Sequence, residues 1–171
     1  VVMPGPFGAG GVRDAGTELA LRSDAAPQDA FAEALGVPVV VENDANAAAV
    51  SERVSGAAQG LETYAFLYFG AGLGLGVVQD GRLVTGAWGN AGEIGRIEVP
   101  CEGAAVRLET VVSRLALQRH LAAEGIAATS VEDFERLHGE GSPQLAAWLA
   151  RAAAPLSQAV AVVENLFDPQ A

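Results

Sequence analysis

The sequence contains no lysine and only one cysteine, and its ten basic residues, all arginine, face 21 acidic ones for a formal net charge of −11. Without lysine a P-loop is excluded, because that phosphate-binding motif requires Gly-Lys-Ser/Thr. An acidic chain without a basic patch argues against nucleic-acid binding by this segment, since phosphate neutralisation dominates such affinity. Because Cys101 is the only cysteine, no disulfide can form within the chain, which fits a cytoplasmic location.

Long hydrophobic runs and a signal peptide are also missing, so we expect a soluble protein that does not enter a membrane. A length of 171 residues, half of them hydrophobic, indicates about one domain with a sizeable core. The chain opens on Val1-Val2-Met3 and closes on Leu166-Phe167-Asp168-Pro169, without a polar tail at either end. This predicts an internal segment of a longer protein.

The first third of the chain predicts an α/β unit. Residues 5–26 are rich in glycine and alanine and predict a loop, with a possible short strand at Thr17–Leu21. A short helix is predicted from Pro27 to Leu35. The β-branched run Val37–Val41 then favours a strand buried on both faces over a helical segment. A helix–strand–helix succession with short joints is typical of an α/β fold.

The second helix of this unit is predicted from about Ala45 to Val54, with Asn43 or Asp44 as its N-cap and Gly56 at its end. Further along, Tyr64–Phe69 predicts a strand, and Asp80-Gly81 is a strong two-residue hairpin signal.

The last third predicts helices. From Arg107 onward an apolar stripe indicates a helix that Gly125 ends. Ser130 with Asp133 resembles a capping box for a short helix through His138. A long helix is then predicted from Ser142-Pro143 to about Phe167, with a kink or break at Pro155.

Asp44 is the first candidate for chemistry, because it lies at a strand-to-helix joint where functional groups are often displayed. Its ordinary role is an N-cap, but an ionised Asp within reach of a hydroxyl also acts as a general base. Asn43 is either a turn residue or a contact to the same ligand, and Glu42, opposite in strand phase, is the weaker candidate.

Glycines at positions 70, 72, 74 and 76 weaken a strand and therefore need a reason. Close approach of a ligand such as a phosphate is one reason, and tight packing or a bulge is the other. Glu93, in a Gly-rich loop, is a ligand contact or a solvated charge. His120 and His138 have no partners at metal-ligand spacing, and Cys101 alone is no metal site.

Two motifs, E-N-D-A-N at residues 42–46 and A-G-E-I-G at residues 91–95, resemble those of the ROK family (repressors, open reading frames and sugar kinases). The resemblance covers nearly the whole chain. It implies an α/β protein with the actin-like, ribonuclease-H-type ATPase fold, incomplete at both ends. Residues 1–171 then form one ROK-type segment, with about 1–55 ending the N-terminal lobe and beginning the larger lobe, and 56–171 in the larger lobe.

The resemblance also implies roles for the candidate residues. Asp44 matches the general base that takes a proton from a sugar hydroxyl attacking the γ-phosphate of Mg-ATP. Three residues match sugar contacts: Asn43, Glu93 and Glu109. Gly70, Ala71 and Gly72 match the second phosphate loop, where the family usually has G-T-G. A homodimer is the family's expected assembly.

The chain departs from the family pattern in five places. Ala71 lacks the loop hydroxyl, and Arg96 stands where the family has a zinc-binding His. The family's cysteine cluster falls on Pro100 to Arg107, where no ligand is in register, so we predict no zinc. The N-terminal D-x-G-G-T loop and the glycine pair after the final Asp-Pro are absent, so this chain carries only part of an ATP site and is expected to be inactive alone.

Two functions fit these residues. The first is a segment of a sugar kinase that phosphorylates a hexose or N-acyl-hexosamine with Asp44 as the base. The alternative is the sugar-sensing domain of a ROK transcriptional repressor without kinase activity, which Ala71 and the lost zinc cluster favour, whereas the retained Asn43-Asp44 pair favours the kinase. A degenerate segment with neither activity is a third interpretation. The sequence motifs do not encode which sugar is bound.

Arg96 would hold the sugar loop without metal if it pairs with Glu93 or Glu109. Arg96→Ala in the intact protein is then expected to weaken sugar binding, because a carboxylate loses its counter-charge. Calorimetric titration of the sugar measures this change, and an unchanged Kd would contradict the pairing.

Overall fold

The computed structural model describes residues 1–5 and 26–171, so the loop and the Thr17–Leu21 strand expected in between lie outside the described residues. The chain forms two compact units. The first comprises Val1–Tyr68, Gly74–Glu93 and Phe167–Ala171, and the second comprises Phe69–Leu73 and Ile94–Leu166. Helices and strands occur in both, as expected for an α/β protein. The predicted lobe division near residue 55 stays a prediction.

The first unit begins with a short parallel pair of strands, β1 (Val2–Met3) and β2 (Glu42–Asn43), in which Met3 lies opposite Asn43. Parallel strands need a long crossover, and the crossover here includes helix α1 (Pro27–Leu35). Helix α2 (Asp44–Ser55) follows β2 directly. The predicted bounds of α1 are confirmed, with Gly36 ending the helix at φ 68°.

The predicted strand at Val37–Val41 is wrong. Only Glu42 and Asn43, which directly follow that run, belong to a strand. Val37 and Val40 are 54% and 74% exposed, so the run is not buried between two layers. The physical reason is the short partner: β1 offers two paired residues, and Pro38 has no N–H to donate.

A three-stranded sheet completes the first unit, in the order β3 (Tyr64–Phe69), β4 (Leu73–Gln79) and β5 (Arg82–Leu83). The predicted hairpin between β4 and β5 is confirmed, with Val78 opposite Leu83. Its turn residues, Asp80 and Gly81, have φ angles of 50° and 72°. Two consecutive positive φ angles are what a type I′ turn requires.

Helix α2 packs directly onto β4 because that strand carries glycines where the helix crosses it. A Cβ atom at Gly74 would lie 2.7 Å from the Ala45 Cβ, and one at Gly76 would lie 2.5 Å from the Ala49 Cβ. Tyr64 anchors the helix from β3, since its hydroxyl donates to the Ala49 carbonyl at 2.8 Å. The glycines therefore permit a contact between helix and strand backbone that no larger residue allows.

The second unit contains a hairpin that the sequence pattern did not reveal. Strands β6 (Glu98–Cys101) and β7 (Ala104–Arg107) pair antiparallel around Glu102 and Gly103, which have φ angles of 51° and 83°. The helix expected from Arg107 instead begins at Arg114 as α3 (Arg114–Ala123), because Arg107 ends β7, Leu108–Thr110 form a 3-10 helix and Ser113 is the N-cap. Gly125 ends it with φ 74°, as predicted.

Two further helices close the second unit. The capping box at α4 (Val131–Gly139) is confirmed, with Ser130 Oγ accepting from the Asp133 N–H at 3.2 Å and Asp133 Oδ2 accepting from the Ser130 N–H at 3.1 Å. Helix α5 (Pro143–Phe167) is continuous through Pro155, so the chain does not break there, and the alternative of a kink at Pro155 stays a prediction.

Helix α5 is the one helix in the described ranges, 1–5 and 26–171, that is long and apolar enough to cross a membrane by length and composition. A core helix of a soluble protein meets the same criteria. The buried residues of α5 recur at helical spacing along one side: Leu145, Trp148, Ala152, Pro155, Ala159 and Val163. That periodicity is typical of a helix that packs one face into a protein core.

Gly76→Ala is expected to lower the free energy of unfolding by roughly 1–3 kcal/mol, because the new methyl group would overpack the contact between α2 and β4. Gly139→Ala is the matched control, since a Cβ there meets nothing within 4 Å. Urea unfolding of the intact protein measures both. Equal midpoints for the two variants would contradict the close-packing explanation.

Tyr64 predicts an alkaline limit to stability. The side chain is 2% exposed, and burial raises its pKa above the ordinary 10.0, although the Arg53 charge partly opposes the shift. Above pH 10 the unfolded chain loses the Tyr64 proton before the folded chain does, so stability should fall as the pH rises.

Tyr64→Phe should cost about 1 kcal/mol at pH 8 through the lost hydrogen bond. The difference from the wild type should shrink toward pH 11, because the variant has no proton to lose there. Denaturant unfolding at both pH values tests this, and a constant difference would contradict it.

Candidate functional site

The Asn43-Asp44 pair lies where β2 becomes α2, and Asn43 is the N-cap. The Asn43 Oδ1 accepts from the Ala45 and Asn46 N–H groups at 2.8 and 3.2 Å. Asp44 is the first helical residue, and its Oδ1 accepts from the Ala45 N–H at 2.9 Å. Both side chains are half-buried, so the pair caps the helix and still reaches the surface.

The Glu42 side chain stabilises this joint through two hydrogen bonds. One carboxylate oxygen, Oε1, accepts from the Asn43 N–H and from the Asn46 Nδ2, each at 2.9 Å. Asn46 is 1% exposed and lies one turn into the helix. The two side chains therefore tie the end of β2 to the first turn of α2, with Asn43 and Asp44 between them.

Strand β4 supports both Asp44 and Glu93 within the first unit. Ala45, next to Asp44, lies against Gly74. Gly92, next to Glu93, has φ 89°, accepts from the Leu75 N–H at 3.1 Å and lies so close to the Leu75 carbonyl that a Cβ atom could not fit. Consecutive residues of one strand thus hold the helix start and the Glu93 loop.

In the second unit, the turn Gly70-Ala71-Gly72 is fastened to the start of α3. The Arg114 N–H donates to the Gly70 carbonyl at 3.0 Å, and the Leu115 N–H donates to the Ala71 carbonyl at 3.4 Å. The Gly70 N–H donates to the Gly72 carbonyl at 3.0 Å. The N–H groups of Ala71 and Gly72 are therefore the donors that this turn offers to a ligand, and Ala71 is exposed.

Glu109 lies beside that turn. A Cβ atom at Gly72 would be 3.0 Å from the Glu109 Oε2, and one at Gly95 would be 3.3 Å from the same oxygen. Glu109 belongs to a short 3-10 helix, Leu108–Thr110, that follows β7. The second unit therefore brings Glu109 together with the candidate phosphate turn, and the first unit brings Glu93 to the strand that supports Asp44.

These contacts decide between the two explanations of the glycine series. Gly74 and Gly76 admit helix α2, and Gly72 admits the Glu109 carboxylate, so packing accounts for three of the four.

Ser113, a buried residue that caps α3, was not predicted from the sequence. A serine before an apolar helical run is an N-cap signal. Because the helix was expected to start at Arg107, Ser113 fell inside the predicted helix and was not considered as its cap.

The segment where the family's cysteine cluster would fall is an ordinary hairpin in the structure. It comprises the second half of β6 and the whole of β7, and Cys101 is buried there. The Glu102 carboxylate at its turn pairs with Arg151 of α5 at 3.0 Å. Within the part of the chain that the structure describes, no group of three His, Cys, Asp or Glu side chains is placed to hold a metal ion.

Comparison with known proteins adds an independent line of observation. A model of the ROK family matches residues 23–171. The bifunctional enzyme NanE/NanK of Brucella suis biovar 1 (strain 1330) is 39% identical over 142 residues, which cover 80% of this chain and 26% of that protein. A ROK family glucokinase from Streptomyces griseus, solved in complex with glucose and AMPPNP, is 29% identical with a TM-score of 0.71, and the match covers 85% of this chain and 54% of that one.

A regulator matches as well as the kinases do. The ROK family transcriptional regulator that is a homolog of the E. coli MLC protein has a TM-score of 0.76 at 27% identity, over 99% of this chain and 47% of its own. The chain thus spans about a quarter of NanE/NanK and about half of each solved protein. By the family match and by its fold, this chain belongs to the ROK family and carries part of the actin-like ATPase fold of ROK sugar kinases.

Proposed function

We propose that the intact protein is an ATP-dependent kinase of a hexose or N-acyl-hexosamine, with Asp44 as the general base. The observation that carries this proposal is the Asn43-Asp44 joint, which is held from both sides by Glu42 and Asn46. A general base must stand within hydrogen-bond reach of the proton that it takes, so a fixed carboxylate suits the role. Phosphoryl transfer depends mainly on such positioning and on charge stabilisation.

Asp44 and Asn43 have different atoms left for a sugar. The Asp44 Oδ1 already accepts from a backbone N–H, so Oδ2 is the oxygen assigned to the sugar hydroxyl. The Asn43 Oδ1 accepts two helix N–H groups, which leaves the Nδ2 amide to donate to a sugar oxygen. Glu93 and Glu109 are the proposed acceptors for other hydroxyls. The groups of the first unit, Asn43, Asp44 and Glu93, offer one donor and several acceptors, which suits a polyhydroxylated ligand.

The turn Gly70-Ala71-Gly72 is the proposed phosphate contact of Mg-ATP. Its side chains are no larger than methyl, so a phosphate can approach the N–H groups of Ala71 and Gly72. The bound nucleotide would supply the phosphoryl group, and Mg²⁺ would neutralise its charge. The three residues of this turn carry no hydroxyl, because Ala71 stands where the family usually has threonine.

The second candidate function is a sugar sensor in a ROK repressor. The specific observation in its favour is Ala71, since a turn without the hydroxyl has one phosphate donor fewer. In a sensor the same carboxylates would bind sugar as an inducer, and no phosphoryl transfer would follow. The regulator of similar fold is consistent with this candidate.

Asp44→Asn separates the two functions, because the amide keeps its shape but cannot take a proton. Thermal-shift screening of the intact protein against glucose, mannose and N-acetylmannosamine, with and without Mg-ATP, identifies the bound sugar by mass action. In a kinase, phosphorylated sugar should form with the wild type, and Asp44→Asn should lower kcat by roughly 100- to 10,000-fold while the sugar shift persists.

Glu140→Gln, an exposed charge change in the turn after α4, is the control and should retain full turnover. A sugar shift without product in the wild type would overturn the kinase and favour the sensor. Full activity of Asp44→Asn would reject Asp44 as the base even if the kinase stands.

A further inference from the structure

We propose that Ser113 is a positioning residue that couples the sugar contact at Glu109 to the phosphate turn Gly70-Ala71-Gly72. This inference rests on the proposed function, because it takes Glu109 as a sugar contact and the turn as a phosphate contact. It concerns a different property, namely whether occupation of one subsite changes the affinity of the other. All the residues involved belong to the second compact unit.

Ser113 joins Glu109 to helix α3 through one oxygen atom. The Ser113 Oγ donates to the Glu109 carbonyl at 2.7 Å and accepts from the Ala116 N–H at 3.1 Å. The side chain is 1% exposed, so water does not compete for either bond. The backbone of Glu109 is therefore fixed to the first turn of α3.

The N–H groups at the start of α3 also hold the phosphate turn Gly70-Ala71-Gly72 in place. A helix start leaves four N–H groups without intrahelical partners. Here Ser113 satisfies that of Ala116, while those of Arg114 and Leu115 donate to the carbonyls of Gly70 and Ala71. The phosphate turn thus follows any movement of the helix start.

The side chain of Glu109 also contacts the phosphate turn directly, at Gly72. Its Oε2 lies 3.0 Å from where a Cβ atom at Gly72 would be, while its carbonyl is held by Ser113. A sugar hydroxyl that attracts the Glu109 carboxylate moves this carboxylate relative to Gly72. The same movement strains the hydrogen bond between the Ser113 Oγ and the Glu109 carbonyl. Sugar binding therefore changes the affinity of the turn for phosphate, and by linkage nucleotide changes the affinity for sugar by the same factor.

The test is the Kd of AMPPNP with Mg²⁺, measured for the intact protein by calorimetry with and without saturating sugar. The sugar is whichever of glucose, mannose and N-acetylmannosamine gives the largest thermal shift. The wild-type ratio of the two Kd values is expected to be about 5-fold or more. Ser113→Ala should bring the ratio close to one while both ligands still bind.

Ser130→Ala is the matched control, since it removes the N-cap hydroxyl of α4, which bonds the Asp133 N–H rather than Glu109. It should lower stability and leave the ratio unchanged. Ser113→Gly is the second variant, because glycine is a tolerated N-cap and keeps the helix start while removing the hydroxyl. Gly72→Ala, which displaces the Glu109 carboxylate, should also change the ratio.

A wild-type ratio of one would overturn the coupling and leave the kinase intact. A wild-type ratio retained in both Ser113 variants, or lost equally in Ser130→Ala, would overturn the role of Ser113. A wild type that binds sugar but no AMPPNP would reject the proposed kinase itself and this inference with it.

Discussion

Close approach to the backbone of β4 is the constraint on which the candidate site depends. In the first unit, Gly74 and Gly76 let α2 lie directly on the strand, and Gly92 brings the Glu93 loop against Leu75. In the second unit, Gly95 lies against the Leu73 carbonyl in the same manner. Larger residues at these positions would push the loops outward by the width of a side chain. The glycines therefore determine how closely the segments that carry Asp44, Glu93 and Glu109 approach the backbone of β4.

The N-termini of α2 and α3 hold the candidate ligand contacts in a second way, through their capping side chains. Asn43 caps α2 and Ser113 caps α3, and each capping side chain adjoins a proposed ligand contact. Cap bonds are short and directional, so they fix the residues beside them more firmly than a surface loop does. In α2 the fixed residue is Asp44, and in α3 it is the turn at residues 70–72. Capping and ligand binding are thus compatible roles for the same segment.

Local signals in the sequence predicted much of the fold. The bounds of α1, the strand Tyr64–Phe69, the Asp80-Gly81 hairpin and the Ser130 capping box each depend on a few neighbouring residues, and the structure confirms them. The predictions failed where a distant partner decides. Val37–Val41 has strand propensity but too short a partner, and the helix expected from Arg107 begins only at Arg114, because Arg107 pairs with the distant Glu98 in the β6–β7 hairpin.

By itself the sequence determined the family and the candidate residues, because E-N-D-A-N and A-G-E-I-G are contiguous motifs whose chemistry can be read from side chains. Only the tertiary structure decided what the glycines at 72, 74 and 76 are for, and that Glu109, Ser113 and the turn at 70–72 form one connected group. The physical reason is that these contacts join residues as far apart in the chain as Gly70 and Arg114. Hydrogen bonds and steric fit at that separation depend on how the chain folds back, which no local pattern records.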